Sequence, residues 1–169
     1  MPRTPASVID SRYAWMRLLM SVLVCTVGGV GMWSVVVVLP TVQADFGVSR
    51  ADASFAYTLT MLGFGFGGIL MGRIADRYGI FRPLVAGAFM LAGGYTVAAY
   101  AQNIWVFAIA HGVMIGLLGS SVSFAPMMAD VSLWFQRRRG IAVAIVASGN
   151  YLAGTVWPPI VQSLVASYG

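Results

Sequence analysis

Four stretches of this chain carry no charged side chain, and together they occupy most of it: Leu18 to Ala44, Ala53 to Gly72, Pro83 to Ala129 and Gly140 to Gly169. About 20 apolar residues cross the hydrocarbon of a bilayer as a helix, so each stretch is long enough to span one. Only 9% of the residues are charged and 59% are apolar, against roughly 25% and 45–50% in soluble domains. The stretch from Pro83 to Ala129 would measure about 70 Å as a single helix, more than twice the hydrocarbon thickness. It therefore holds two spans, divided at the polar pair Gln102-Asn103. The pattern predicts an all-α membrane protein: a tail over 1–15, then a transmembrane domain over 16–169 with helices near 16–40, 51–73, 83–101, 104–130 and 140–165. The first run, with 27 uncharged residues, exceeds the roughly 7–15 of a signal-peptide core. The nearest A-x-A, Ala51-Asp52-Ala53, lies beyond it among charged residues. Helix 1 is expected to stay in the membrane.

Arginine sets the expected orientation, because the chain contains no lysine. Arg3, Arg12 and Arg17 flank the start of helix 1; Arg73, Arg77 and Arg82 lie between helices 2 and 3; Arg137, Arg138 and Arg139 lie between helices 4 and 5. Arg50 alone falls at the other end. This asymmetry places the N-terminus and both basic loops in the cytoplasm of a multi-pass plasma-membrane protein. The same placement explains the net charge of +5 without nucleic acid, which is not expected as a partner. The one cysteine, Cys25, lies mid-span, so neither a disulfide framework nor a cysteine metal cluster is available, and no metal is expected. No G-x-x-x-x-G-K-[ST] loop occurs, and no cofactor is expected.

The loop between helices 2 and 3 concentrates charge and glycine. Gly72-Arg73-Ile74-Ala75-Asp76-Arg77-Tyr78-Gly79 resembles the G-x-x-x-D-R-x-G signature of the major facilitator superfamily, which sits in the same loop. That family usually continues with two basic residues; here Ile80 and Phe81 stand there and the next cation is Arg82. The resemblance implies a conformational-switch motif at Gly72, Asp76, Arg77 and Gly79. Asp76 would be held near the positive N-terminal end of a helix in the opposite half, latching the outward-facing state. The alternative is that the arginines only set topology and Asp76 balances them.

From Pro126 to Gly154 the chain reads PMMADVSLWFQRRRGIAVAIVASGNYLAG, which is similar to the monocarboxylate and oxalate-formate type branch of that superfamily around its fourth and fifth helices. Trp134, Phe135, Arg137, Arg138, Ala142, Gly149 and Gly154 carry the likeness, and Gly28-Gly29-Val30-Gly31-Met32-Trp33 is similar to its helix 1 opening. The resemblance implies that the five helices form most of the N-terminal six-helix half of a twelve-helix transporter. Its partners would be the lipid bilayer, a small-molecule solute and the C-terminal helices of the same transporter. The implied activity is secondary transport of a small organic carboxylate by alternating access. A five-helix membrane subunit without transport of its own is the alternative. An enzyme is not expected, since no nucleophile and base or carboxylate dyad shows at membrane depth.

In the superfamily, helices 1 and 4 line the central cavity, helices 2 and 5 border it and helix 3 lies outside. Candidates for the substrate pathway follow from polar groups at membrane depth. Ser148, Tyr151, Thr155 and Gln162 share one face of helix 5 by helical spacing, with Asn150 close by. His111 is an ionisable residue inside helix 4, and Trp33 is an aromatic in helix 1. Each has a packing alternative. Ala108 stands where many proton-coupled members carry arginine, four residues before Gly112. The pairs Gly63/Gly67 and Gly68/Gly72 predict close helix approach, and Pro158-Pro159 predicts a break or kink near the outer end of helix 5, either an ordinary helix terminus or a flexible external gate.

Overall fold

The structure, a computed structural model, describes residues 9–168. Arg3, most of the expected tail and the terminal Gly169 lie outside the described residues. Five helical rods follow one another: α1 (Arg12–Phe46), α2 (Arg50–Tyr78), α3 (Phe81–Ala99), α4 (Ile104–Trp134) and α5 (Arg139–Tyr168). α1, α2, α4 and α5 are each long and apolar enough to cross a membrane, and α3 is shorter, at 19 residues. The rods run past the predicted spans at several ends because helix continues into the polar boundary. There Ser11 and Ser49 cap α1 and α2 by accepting from the Ala14 and Asp52 amides.

Glycine closes two of the rods. Gly47 ends α1 with φ 60° and Gly79 ends α2 with φ 80°, both in backbone that a side chain with a Cβ disfavours. The second glycine of the G-x-x-x-D-R-x-G pattern thus has a local physical reason: it is where α2 must turn into α3.

The break or terminus expected at Pro158-Pro159 of α5 is corrected. The helix continues through Pro158 and Pro159 to Tyr168. Two missing amide donors do not end a helix in hydrocarbon, where any non-helical alternative leaves more backbone unpaired. Trp157 also pins this section to α1 by donating its indole N–H to the Thr26 carbonyl at 2.7 Å.

The inner rod is α4, and it is the least regular. It starts as α-helix (Ile104–Ile109), widens to π-helix (Ala110–Gly119), tightens to 3₁₀ (Ser120–Ser123) and resumes as α-helix (Ala125–Trp134) after Phe124. Each change of pitch releases backbone carbonyls. Serine hydroxyls take some of them: Ser121 Oγ donates to Leu117 O at 2.6 Å and Ser123 Oγ to Ser120 O at 2.7 Å. Pro126 sits in the first turn of the last piece, where its missing donor costs nothing.

Packing pairs α4 with α2 and α3, and α1 with α5, while α1 also meets α2 and α4. The α2 and α4 backbones nearly touch: a Cβ at Gly63 would collide with the Gly112 carbonyl, and one at Gly67 with the Leu117 carbonyl. The Gly63/Gly67 pair is therefore a helix contact. Gly68 and Gly72 meet little: the nearest atom to a Cβ at Gly68 is Ala125 Cβ at 3.7 Å, and nothing lies within 4 Å at Gly72. Two apolar clusters hold the ends. Leu18, Met127, Val131, Phe135 and Val146 join α1, α4 and α5; Val35, Val42, Ala56 and Phe107 join α1, α2 and α4.

Candidate functional site

The alternation of five rods brings the start of α1, the end of α2, the start of α3, the end of α4 and the start of α5 to one end of the bundle. A cleft of about 460 Å³ opens there between α2 and α4. Gly68, Gly72 and Gly79 leave its α2 wall bare, and Asp76 projects from the same wall. Asp76 is exposed and makes no ion pair among the described residues. Arg77 and Arg82 flank Tyr78, with guanidinium carbons 5.3 Å and 5.8 Å from its ring centre. The four motif positions thus divide between a bare wall (Gly72), a free carboxylate (Asp76), a stacked cation (Arg77) and a turn (Gly79).

The far wall carries an ion pair that sequence reasoning missed. Arg17 Nη2 of α1 lies 2.7 Å from Asp130 Oδ2 of α4, and the guanidinium carbon is 4.2 Å from the centre of the Trp134 ring. A separation of 113 residues hides the pair. The one signal was Asp130 itself, a carboxylate closing an uncharged run at the end that carries the arginines. A second contact ties the same elements. Asp10, at φ 54°, accepts at Oδ2 from the Gln136 and Arg137 amides at 3.3 Å and 3.1 Å, and its own amide donates to Trp134 O at 3.0 Å.

At mid-depth α1 and α5 are joined by neutral hydrogen bonds. Trp33 Nε1 donates to the Asn150 carbonyl at 3.1 Å, and the indole lies against Gly154, where a Cβ would come within 2.8 Å of the ring. Thr26 Oγ1 donates to Gly149 O at 3.1 Å. Trp33 and Asn150 are therefore brought together, both half-buried. Ser148, Tyr151, Thr155 and Gln162 are exposed along α5, with Tyr151 at 72%. Ser148 and Thr155 satisfy their hydroxyls within the helix, donating to Ile145 O and Tyr151 O.

His111 lies apart from these. It is 2% exposed inside the bundle, with Nδ1 3.1 Å from the Phe107 carbonyl and its ring 4.2 Å from that of Phe107. The edge of Tyr95 approaches at 6.2 Å, and Tyr95 in turn shares a 2.6 Å hydrogen bond with Ser34. Sequence reasoning noted Ser34 only as a neutral group of helix 1 and did not name Tyr95. Among the described residues no three His, Cys, Asp or Glu side chains group as a metal site.

The model of the Major Facilitator Superfamily matches residues 19–169. The chain belongs to the Major Facilitator Superfamily. It is 30% identical to MFS-type transporter 1 of Ophiocordyceps sp. (strain BCC 1869) over 75% of this chain and 28% of that protein. Against the Fujikurins efflux protein of Gibberella fujikuroi it is 34% identical over 63% of this chain and 22% of the relative. Against MFS-type transporter pytF of Aspergillus terreus it is 28% identical over 73% and 41%. This facilitator chain thus spans less than half the length of these relatives. They carry the names of transporters rather than enzymes, and the chain is an integral, multi-pass membrane protein.

Proposed function

We propose that the chain supplies most of the N-terminal half of a secondary transporter that moves a small organic solute by alternating access, its solute site lying between two halves that rock against each other. The observation that carries this reading is Asp76 in the last turn of α2. An unpaired carboxylate stands at the mouth of a cleft whose α2 wall is stripped to glycine, open to a helix end from the other half. In this reading the loop lies in the cytoplasm of the plasma membrane with the N-terminus, since Arg12, Arg17, Arg73, Arg77, Arg82 and Arg137 to Arg139 all sit at that end. The domain is the 16–169 segment.

Trp33, Asn150, Ser148, Tyr151 and Thr155 border the solute passage, the last three on the face of α5 that these five helices leave uncovered. His111 acts from within the bundle, as a polar group between α4 and α3. The likeness of 126–154 to the monocarboxylate and oxalate-formate branch supports a small carboxylate anion as solute. Its counter-cation comes from the C-terminal helices, because α1 from Leu18 to Ala44 has none.

A second reading is favoured by that same lack of intramembrane arginine and by the name of the Fujikurins efflux protein: export of an uncharged organic product. The complete transporter, reconstituted in liposomes, separates the two. Saturable uptake of labelled lactate, oxalate or formate, changed by a proton gradient, supports the carboxylate reading. Indifference to all three, with outward movement of neutral organic solutes, supports export. No saturable flux of either kind, with the protein inserted and folded, leaves the chain as a non-transporting membrane subunit.

A further inference from the structure

α1 and α5 run in the same direction through the bundle, and the surface between them is smooth. Gly29 faces Ala153, Gly149 faces Cys25 and Gly154 faces the ring of Trp33, each too close to admit a further methyl group. Small residues let helices approach closely without side chains interlocking. Such a contact resists separation, but it does little to stop one helix sliding along the other or rotating about its own axis.

Two tryptophans supply what the smooth surface lacks. Trp33 of α1 donates its indole N–H to the Asn150 carbonyl of α5 at 3.1 Å, and Trp157 of α5 donates its own to the Thr26 carbonyl of α1 at 2.7 Å. Seven residues separate Thr26 from Trp33, and seven separate Asn150 from Trp157. The bonds are therefore reciprocal: each indole leans about two turns toward the start of its own helix, as helical side chains do, and grips the other rod there. The Thr26 carbonyl is free to accept because α1 is interrupted at Gly29, between the pieces Arg12–Gly28 and Val30–Phe46, and the last carbonyls of a helical piece have no amide of their own. The Asn150 carbonyl takes the Trp33 indole on a second lone pair. Sliding α5 along α1 in either direction lengthens one of the two bonds, and rotating it pulls on both.

The gripped turns of α5 also carry the exposed face, since Ser148, Tyr151 and Thr155 interleave with Asn150, Ala153, Gly154 and Trp157. We propose that Trp33 and Trp157 clasp α1 and α5 into one rigid pair, and that Trp157 is a positioning residue that sets the rotation of α5 and with it the direction of Tyr151. The use of that face by a solute rests on the transport reading; the clasp itself does not.

The test uses the complete protein in nanodiscs, with spin labels on Val36→Cys and Ile160→Cys, exposed positions three residues beyond each tryptophan. Pulsed electron paramagnetic resonance should give one narrow distance, the same with Asp76 and with Asp76→Asn. Replacing Trp157 by 3-benzothienylalanine keeps the ring shape and removes the N–H, and the narrow distance should be lost. The same replacement at Trp33 should have the same effect, whereas 5-fluorotryptophan, which keeps the N–H, should leave the distance narrow at either position. For whichever of labelled lactate, oxalate or formate moves saturably in liposomes, the Trp157 replacement should raise KM about two- to tenfold, the worth of one neutral hydrogen bond, at unchanged maximal rate. Absence of flux refutes the transport reading, and the distances still decide the clasp. A narrow distance that survives loss of the N–H overturns the proposal, as does one that is lost for only one of the two tryptophans or that shifts with Asp76→Asn. A lost distance with unchanged KM would overturn the positioning role of Trp157.

Discussion

The glycines of α2 allow a controlled comparison, because one helix offers both crowded and open positions. At Gly63 an added Cβ meets three backbone atoms of α4: the Gly112 carbonyl oxygen, Leu117 N at 2.9 Å and Gly112 C at 3.1 Å. Backbone cannot rotate aside as a side chain can, so α2 and α4 must separate along their closest contact. Overpacking costs typically about 1–3 kcal/mol, and a clash with main chain belongs at the upper end. Two residues further on, Gly65 has nothing within 4 Å. There alanine meets no neighbour and gains roughly 0.5–1 kcal/mol of helix propensity. The two single-methyl changes should thus differ by about 3–4 kcal/mol. At roughly 2–4 °C per kcal/mol, Gly63→Ala should melt on the order of 6–16 °C below Gly65→Ala. The assay is thermal unfolding of the purified protein in one detergent, followed by tryptophan fluorescence and by monodispersity on gel filtration. Gly116→Ala, facing the Thr60 carbonyl from the α4 side, should resemble Gly63→Ala. Equal melting of the Gly63 and Gly65 variants would refute close α2–α4 contact as what those glycines serve.

Further outcomes can be checked with single variants. Arg17→Ala and Asp130→Ala should each destabilise by about 1–3 kcal/mol, since their side chains are only 30% and 18% exposed and loss of one partner strands the other. In a double-mutant cycle the second change should then cost little, whereas additive losses would deny the pairing. Gly79→Ala should cost about 1–2 kcal/mol because it forces a Cβ into φ 80°, while Gly72→Ala, in open space inside α2 as Gly65 is, should raise melting slightly through the same gain of roughly 0.5–1 kcal/mol in helix propensity. In the complete transporter Asp76→Asn should slow turnover and shift inward against outward accessibility in cysteine-labelling experiments, with insertion intact; unchanged transport and labelling would reduce the motif to topology. Reporter fusions should place the 73–82 and 135–139 loops inside, and an external 73–82 loop would overturn the orientation.

Much of the architecture could be read from runs of uncharged residues, because a bilayer admits little besides helices and they must be about 20 residues long. The division at Gln102-Asn103 is an instance: Asn103 caps α4 by accepting from the Val106 amide at 3.0 Å. Gly63 and Gly67 were legible because small residues four apart signal close approach. The same pattern at Gly68 and Gly72 was ambiguous, since spacing does not say whether a bare face meets a helix or a cleft. The changes of pitch in α4 were not legible. They depend on how α2 and α3 press on its glycines from both sides, and no local pattern in 104–134 encodes the neighbours. Pro158 and Pro159 misled for a related reason, since proline rules drawn from water overstate helix breaking where lipid removes the alternatives.

The polar side chains of α5 show how far spacing can carry a functional argument. Intervals of three and four put Ser148, Tyr151 and Thr155 on one face, and these three are exposed. Asn150, two residues from Ser148, points elsewhere: its carbonyl receives the Trp33 indole and its Oδ1 lies 3.1 Å from where a Gly29 Cβ would stand. The two sets differ physically. Asn150 is committed to α1, whereas the exposed three turn toward nothing in these five helices. Ser148 and Thr155 hydroxyls bond back to their own helix, which lets such a face rest against lipid at modest cost. Tyr151 has no such return, since its phenol stands too far from the backbone of its own turn. A phenol 72% exposed at the depth of an apolar helix is costly against hydrocarbon and comfortable against water or a polar solute. Tyr151→Phe should therefore leave the α1–α5 contact and the melting temperature alone while altering transport by the complete protein. A stability change without a transport change would assign Tyr151 to a helix interface instead.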